Sequence, residues 1–290
     1  MKKEIVSLAT FYAISPVHAG SGTSTAAVDL PIQRERHTNW PHIQASGVKG
    51  AFRAHYRNNA PDSDPDMVNY IFGSDEQDGW SSEKDALTSA VSFSDAKLLL
   101  FPVRSNIYPF VWVTCSSVLN RLSVDLEYTK TGELSPIEPV QEDDALFMGD
   151  GLETGSRVVL EDAAVTVKEK HEQPFLKKLF PDIQRILIVS DKMYAYLVGS
   201  CTEVQTQVKI SSETGAAEDG ALRYEELLPA DSVLYAIVHY SSQSPNGGEL
   251  KASEIQKNLE SLVTDFVQVG GDVTLGRGIC QLNWVQGGQR

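Results

Sequence analysis

Residues 18–57, HAGSGTSTAAVDLPIQRERHTNWPHIQASGVKGAFRAHYR, hold the groups best suited to chemistry on a phosphodiester: a histidine beside two glycines, one aspartate and a run of cationic side chains. Between positions 30 and 57, Arg34, Arg36, Lys49, Arg53 and Arg57 stand against Glu35 alone. That is a local charge of +4 in a chain of −14, leaving −18 for the remainder. A basic strip on an acidic body suits a polyanion held in a defined groove rather than smeared over a surface. RNA brings its own nucleophile, the 2′-hydroxyl. A protein that cuts it must mainly bend the strand into in-line geometry and stabilise charge on the phosphate and leaving oxygen.

Asp29 is the carboxylate placed for that task, in a Pro-bounded loop five residues before Arg34 and eleven after His18. An ordinary aspartate, with a pKa of about 3.9, is a feeble base at neutral pH, so Asp29 is more credible as a ligand for a weakly held divalent cation, Mg²⁺ or Mn²⁺. Its plainer role is a turn or cap. His18 has three readings: proton transfer, RNA binding, or a hydrogen bond to its own glycine loop. His37 and His42 read as structural, since no HxH or HExxH spacing supports a tight transition-metal site. Arg34 and Arg36 alternate with Gln33 and Glu35, so an extended segment would turn both guanidiniums to one face, toward RNA or into surface ion pairs.

Two glycine-rich stretches tempt the reader toward a nucleotide-binding enzyme. HAGSGTS lacks the GxxxxGK[ST] pattern, and GGDVTLGRG follows a helical pattern rather than a strand, so neither is a P-loop or a dinucleotide fingerprint. Arg277 lies between two glycines of the second stretch. There, bare backbone N–H groups and a guanidinium suit an RNA phosphate.

The elements that must position these groups follow from periodicity. An apolar run predicts a buried first strand over residues 4–15. Beyond Ser46, taken as a cap, Val48, Ala51, Phe52 and Tyr56 recur at helical spacing and leave Lys49, Arg53 and Arg57 on another face. Residues 60–90 read as an exposed insertion with a short helix. Strands are expected near 91–104, 110–115 and 157–168, and helices over 116–124 and in HEQPFLKKLF. Residues 202–235 show period-two patterning on both sides of a polar, glycine-containing centre, as a projecting β-hairpin would. The arm is acidic, with Glu213, Glu218, Asp219, Glu225 and Glu226. A helix over 252–269 and a closing strand ICQLNWV end the chain.

This mixture, without strict βα alternation, predicts an α+β fold in one domain over 1–290, with an antiparallel sheet and a ferredoxin-like, RRM-like core. Such a core would bring HAGSG near GGDVTLGRG. Three scattered cysteines without CxxC argue against a disulfide framework or zinc knuckle and fit a reducing cytoplasm. No apolar stretch approaches the roughly 20 residues needed to cross a bilayer, so no membrane partner is expected. The polar breaks Glu4, Ser7 and Thr10 argue against a secretory leader.

Taken together, HAGSG, VDLPIQRERHTNWPHIQASGVKGAFR, GALRYEELLP and GGDVTLGRG resemble the RAMP-superfamily backbone subunits of type III-B CRISPR Cmr effector complexes. The matching segments span most of the chain, although residues 60–200 carry little motif information. The resemblance implies an RRM-like palm, a β-hairpin thumb, and copies stacked in a helical filament along a CRISPR RNA with other Cmr subunits. It also implies cleavage of complementary single-stranded target RNA at regular intervals, assisted by a divalent metal. It assigns catalysis to Asp29, accessory roles to His18 and to Glu225 or Glu226, and guide-backbone contacts to Lys49, Arg53 and Arg277. Asn39 and Trp40 depart from the smaller or glycine-containing sequence common there. The other readings are a non-catalytic RNA-binding scaffold and an enzyme that processes CRISPR precursor RNA.

Overall fold

A computed structural model describes residues 5–25, 27–60, 66–75, 86–218, 220–244 and 249–289. The first strand, β1 (Ile5–Ala13), is buried on both faces. It lies between β12 (Val233–Tyr240) and β14 (Ile279–Gln289), antiparallel to both. Next to β12 come β4 (Ala96–Arg104), then β5 (Phe110–Cys115), β9 (Arg185–Val189), β6 (Asp144–Gly149), β8 (Ala163–Lys170) and β7 (Arg157–Leu160), while β13 (Phe266–Gln268) closes the opposite edge. With the short strands β2 (His42–Ile43) and β3 (Val91–Phe93), this makes a twelve-stranded sheet. Its pairings are antiparallel except β5 with β9 and β6 with β8.

Two helices cover the face of β1 that carries Ser7 and Phe11. Helix α1 (Ala45–Asn59) buries Val48, Phe52 and Tyr56, one turn apart, and Phe52 meets the rings of Phe11, Phe93 and Trp284 at 5.9, 5.2 and 5.6 Å. Ser46 does not cap it. The helix begins one residue earlier, and the Ala45 N–H is taken by Asp95 Oδ1 at 2.8 Å, a cap supplied from the β3–β4 turn. At the other end Ala60 is extended, as the residue before Pro61 must be. Helix α6 (Ala252–Leu262) sends the buried Glu260 carboxylate to Ser7, Tyr240, Gln256 and Gln286. It stops well short of 269, because Asp265 adopts φ 57° and the β-favouring Phe-Val-Gln that follows pairs with β14 as β13.

The opposite face is covered too. Helix α3 (Ser116–Thr129) runs past the expected 124 and lies over Tyr235 and His239, with Asp125 Oδ2 accepting from the Tyr235 hydroxyl at 2.8 Å and Tyr128 edge-on to His239 at 5.6 Å. An RRM stacks bases on its bare sheet; here that surface is occupied. Residues 157–170 are a hairpin rather than one strand, since Glu161 takes φ 56° between β7 and β8. Helices α4 (Pro174–Leu179) and α5 (Asp191–Ser200) flank β9.

The polar segment after residue 202 forms a separate two-stranded ribbon, β10 (Glu203–Gln207) against β11 (Arg223–Leu227). It is shorter than expected, because residues 233–235 belong to β12, in the interior of the large sheet. Asp219 of its tip lies outside the described residues, as do 61–65 and 76–85 of the expected insertion. The described part of that insertion contains α2 (Met67–Phe72), whose Val68, Ile71 and Phe72 are buried. Cys115 and Cys280 are buried and Cys201 half-buried, all with free thiols. Among the described residues no helix is long and apolar enough to cross a membrane.

Candidate active site

Three segments converge beyond the end of β1: the loop that leaves it, the arm β10–β11, and the glycine-rich closing loop 270–278. Val17 and Leu228 exchange backbone hydrogen bonds of 2.8 and 2.9 Å. The Gly271 N–H donates to the His18 carbonyl at 2.8 Å, which brings the two glycine-rich stretches into contact as the sequence led one to expect. Gly270, at φ 89°, has no room for a side chain, because a Cβ would lie 2.4 Å from the His18 oxygen. Gly270→Ala is therefore expected to destabilise the fold by at least about 2 kcal/mol, from backbone strain and overpacking of about 1–3 kcal/mol each. Urea unfolding measures it.

His18 is held in one orientation. Its Nδ1 is 2.9 Å from the Glu226 carbonyl, which can only accept, so Nδ1 carries the proton and Nε2 of the neutral ring is bare. Nε2 sits above Gly20, where any Cβ would come within 2.7 Å of it. The Glu225 carboxylate lies 3.6 Å from Nδ1. Glu225 is 2% exposed and accepts from the Gln207 amide of β10. Burial pushes its carboxyl up, and a hydrogen bond with the Asp272 carboxyl adds to this, against the opposing pull of His18 and Arg277.

Asp29 is fixed to the same arm. Its N–H and that of Leu30 donate to the Tyr224 carbonyl at 3.1 and 3.0 Å, and its Oδ2 accepts the Tyr224 N–H at 2.8 Å. The Glu226 N–H in turn donates to the Leu30 carbonyl at 3.0 Å, so this stretch is bridged to β11 in the parallel sense at Leu30 and Glu225. The half-buried Asp29 carboxylate has no other hydrogen-bond partner among the described residues, leaving Oδ1 available. No group of three metal-binding side chains occurs among the described residues. The donor set thus fits a divalent cation only as an ion that Asp29 would share with RNA phosphate and water, where it would offset phosphate charge.

The other predicted residues divide. Arg34 is not turned outward. It bonds the carbonyls of Asn39 and Val198 at 2.9 and 3.0 Å and Glu226 Oε1 at 2.5 Å. Glu226 also accepts from Ile32 N–H and Thr202, which commits it to structure. Arg36 does not share the Arg34 face. It stands exposed in a tight turn over residues 36–38 that breaks the extended alternation. Asn39 supplies φ 60° there, a conformation that glycine or asparagine tolerates. Trp40 anchors the turn edge-on to Tyr194 at 5.2 Å and beneath Arg121 at 4.8 Å. Burial opposes ionisation of Glu35, but hydrogen bonds from Arg121 and Thr38 outweigh it and lower its pKa. His37 is exposed 3.0 Å from Arg121, and His42 sits in β2.

Lys49 and Arg53 share a face of α1. Burial, then the neighbouring Arg53, lowers the Lys49 pKa, and Arg53 reaches the Gly73 carbonyl at 3.1 Å and Asp75 at 3.5 Å. Arg277 is drawn to the arm by Gln205 rather than left open between its glycines. Sequence reasoning missed Asp272. Its only signal was an acid inside GGDVTLGRG, where the turn demands φ 55°.

A mixed α+β chain with a large, mostly antiparallel sheet, and a histidine and an aspartate each tied to the same two-stranded arm, defines a class of protein whose site is built from loops. The chain belongs to the RAMP superfamily, whose model matches residues 10–281, and within it to the Cmr4 family. It is 32% identical over 294 residues to the CRISPR system Cmr endoribonuclease Cmr4 of Pyrococcus furiosus, covering 97% of this chain and 95% of that one. It is 24% identical to the CRISPR system CMR subunit Cmr4 of Saccharolobus solfataricus, over 94% of each. In fold it matches a chain of the type III-B Cmr-beta assembly bound to cognate target RNA, with a TM-score of 0.78, 21% identity and 97% of each chain covered. It also matches oligomeric Cmr4 from Pyrococcus furiosus, with a TM-score of 0.71, 24% identity, and 98% and 99% covered.

Proposed function

We propose that this chain is an RNA-binding backbone subunit of a type III-B CRISPR effector complex and that it cuts target RNA paired to the guide. The observation that carries this reading is the pairing of the Asp29 segment along β11, which holds a carboxylate with one unpaired oxygen beside the arm that also carries Glu225. Strand order β14-β1-β12-β4, with α1 and α6 on one face, supports a ferredoxin-like palm. The ribbon β10–β11 serves as its thumb, within a single domain. Because α3 fills the second face, RNA runs along the loops, where Arg36, Lys49, Arg53 and Arg277 contact phosphate. Copies stack along the guide in a helical filament with other Cmr subunits in the cytoplasm, and base pairing supplies the sequence specificity.

In the reaction, the target 2′-hydroxyl oxygen attacks the adjacent phosphorus and the bond to the 5′-oxygen breaks. The hydroxyl proton passes to His18 Nε2, and the leaving oxygen takes a proton from water. Products are a 2′,3′-cyclic phosphate and a 5′-hydroxyl. Asp29 lies where negative charge concentrates and would hold Mg²⁺ or Mn²⁺, which offsets that charge when bound. The test is to assemble the complex on a guide and supply complementary RNA with divalent metal. Regularly spaced cuts with cyclic-phosphate ends are expected, and an intact target would remove the reading. Arg36→Ala is expected to weaken guide binding evenly across sequences and to flatten the log–log salt dependence by about 0.7, one phosphate's worth for a single strand. Filter binding at several salt concentrations measures this slope.

A further inference from the structure

Residues 203–207 alternate as a strand should, but the arm turns amides rather than valine inward. Val204 and Tyr224 are 52% and 41% exposed on one face of the ribbon, whereas Gln205 and Gln207 are half-buried on the other, which also carries Glu225. Burial of apolar surface would favour the opposite orientation, so the inward amides answer to something else in the site. For Gln207 that group is Glu225. A carboxyl only 2% exposed needs hydrogen-bond donors, and the Gln207 amide supplies one. The amide reaches Oε2, while Oε1 faces the His18 ring, 3.6 Å from Nδ1.

The other charged groups around Glu225 are Arg277 and Asp272 of the closing loop, and Arg223 stands exposed on the same face of the arm. Arg277 is drawn aside by Gln205, and Arg34 is committed to Glu226, the neighbour of Glu225 along β11. We propose that Gln207 is a positioning residue for the cleavage reaction: its amide fixes the Glu225 carboxylate against His18, so that the positive ring formed when Nε2 takes the 2′-hydroxyl proton faces a negative charge. This inference rests on the reading of the site as one that cuts RNA. An N–H donor favours the ionised carboxyl, and an anion beside an imidazole favours its protonated form. The base is thus backed by an acid, and the acid by an amide. Without Gln207, burial would leave Glu225 neutral and the base would lose that support.

Gln207→Leu removes the amide and keeps the bulk, and Gln207→Thr, a good strand former, removes the reach. In complex assembled on a guide, single-turnover cutting at neutral pH is expected to fall about tenfold in either variant, with guide and target binding unchanged. Glu225→Gln should lose about as much, and adding Gln207→Leu to it should lose nothing more, because the amide acts only through that carboxylate. The Gln207→Leu loss should shrink as pH rises and Glu225 ionises unaided, whereas that of Glu225→Gln should not. In the full chain, the Glu225 carboxyl carbon signal, assigned by NMR with Glu225→Gln, should titrate at higher pH in Gln207→Leu than in the parent. Losses that multiply in the double variant would overturn the proposal, as would an unmoved carboxyl titration. If the titration moves but the unaltered complex leaves target RNA whole, the hold of Gln207 on Glu225 stands and the cleavage reading falls.

Discussion

Asp29→Ala, in a complex assembled on guide RNA, is expected to reduce cutting of complementary RNA by a factor of about 100–1000 or more while assembly and guide binding stay normal. The separation of the two effects comes from the backbone. The loop is tied to β11 by the Asp29 and Leu30 N–H groups donating to Tyr224 and by Glu226 donating to Leu30, none of which needs the carboxylate. Truncation removes one side-chain bond, to the Tyr224 N–H, and leaves those ties in place. Asp29→Asn sharpens the result. Asparagine can still accept from Tyr224, so a carboxylate that only shapes the loop predicts full activity for it, whereas a carboxylate needed for its charge predicts a loss close to that of alanine. Removing divalent metal with a chelator should match the Asp29→Ala loss. Undiminished, metal-dependent cutting by Asp29→Ala would return the chain to the role of a scaffold.

The second large effect is on stability. Arg34→Ala is expected to cost about 3–5 kcal/mol, because it leaves Glu226 as an unpaired buried charge, and to lower the melting temperature by roughly 6–12 °C. Side-chain exposures of 15% for Arg34 and 9% for Glu226 put the pair well inside the regime where breaking one partner is costly. Pairing Arg34→Met with Glu226→Gln should recover a large part of the loss, since neither charge then remains. Thermal unfolding of the isolated chain reads both. A variant that kept its melting temperature and lost only RNA affinity would instead make Arg34 the phosphate contact its sequence context suggested.

That contrast marks where sequence was sufficient. Asp29 and His18 could be singled out from sequence because each lies in a loop bounded by glycine or proline, and the contact between the two glycine-rich stretches followed from the expected strand order. The basic face of α1 was legible from spacing alone. The shared face expected for Arg34 and Arg36 does not form, because alternation assumes an extended strand and the turn at 36–38, beside Asn39 at φ 60°, interrupts it, while Arg34 pairs with Glu226. The last helix was drawn too long for a similar reason. Its apolar pattern continues through 269, but pairing with β14 outcompetes helix formation after Asp265. The bond from Arg277 to Gln205 was invisible because the two lie 72 positions apart in the chain. Only folding brings the closing loop against the arm.

Helix α3, lying across Tyr235 and His239, has a wider consequence. A sheet left bare would offer aromatic rings to passing nucleobases, and purines would adhere better than pyrimidines. With that platform roofed over, an RNA held along the loops would meet cations and amides that are indifferent to which letter each sugar bears. On the proposed reading as a guide-binding subunit, such indifference lets one protein surface hold guides of any sequence.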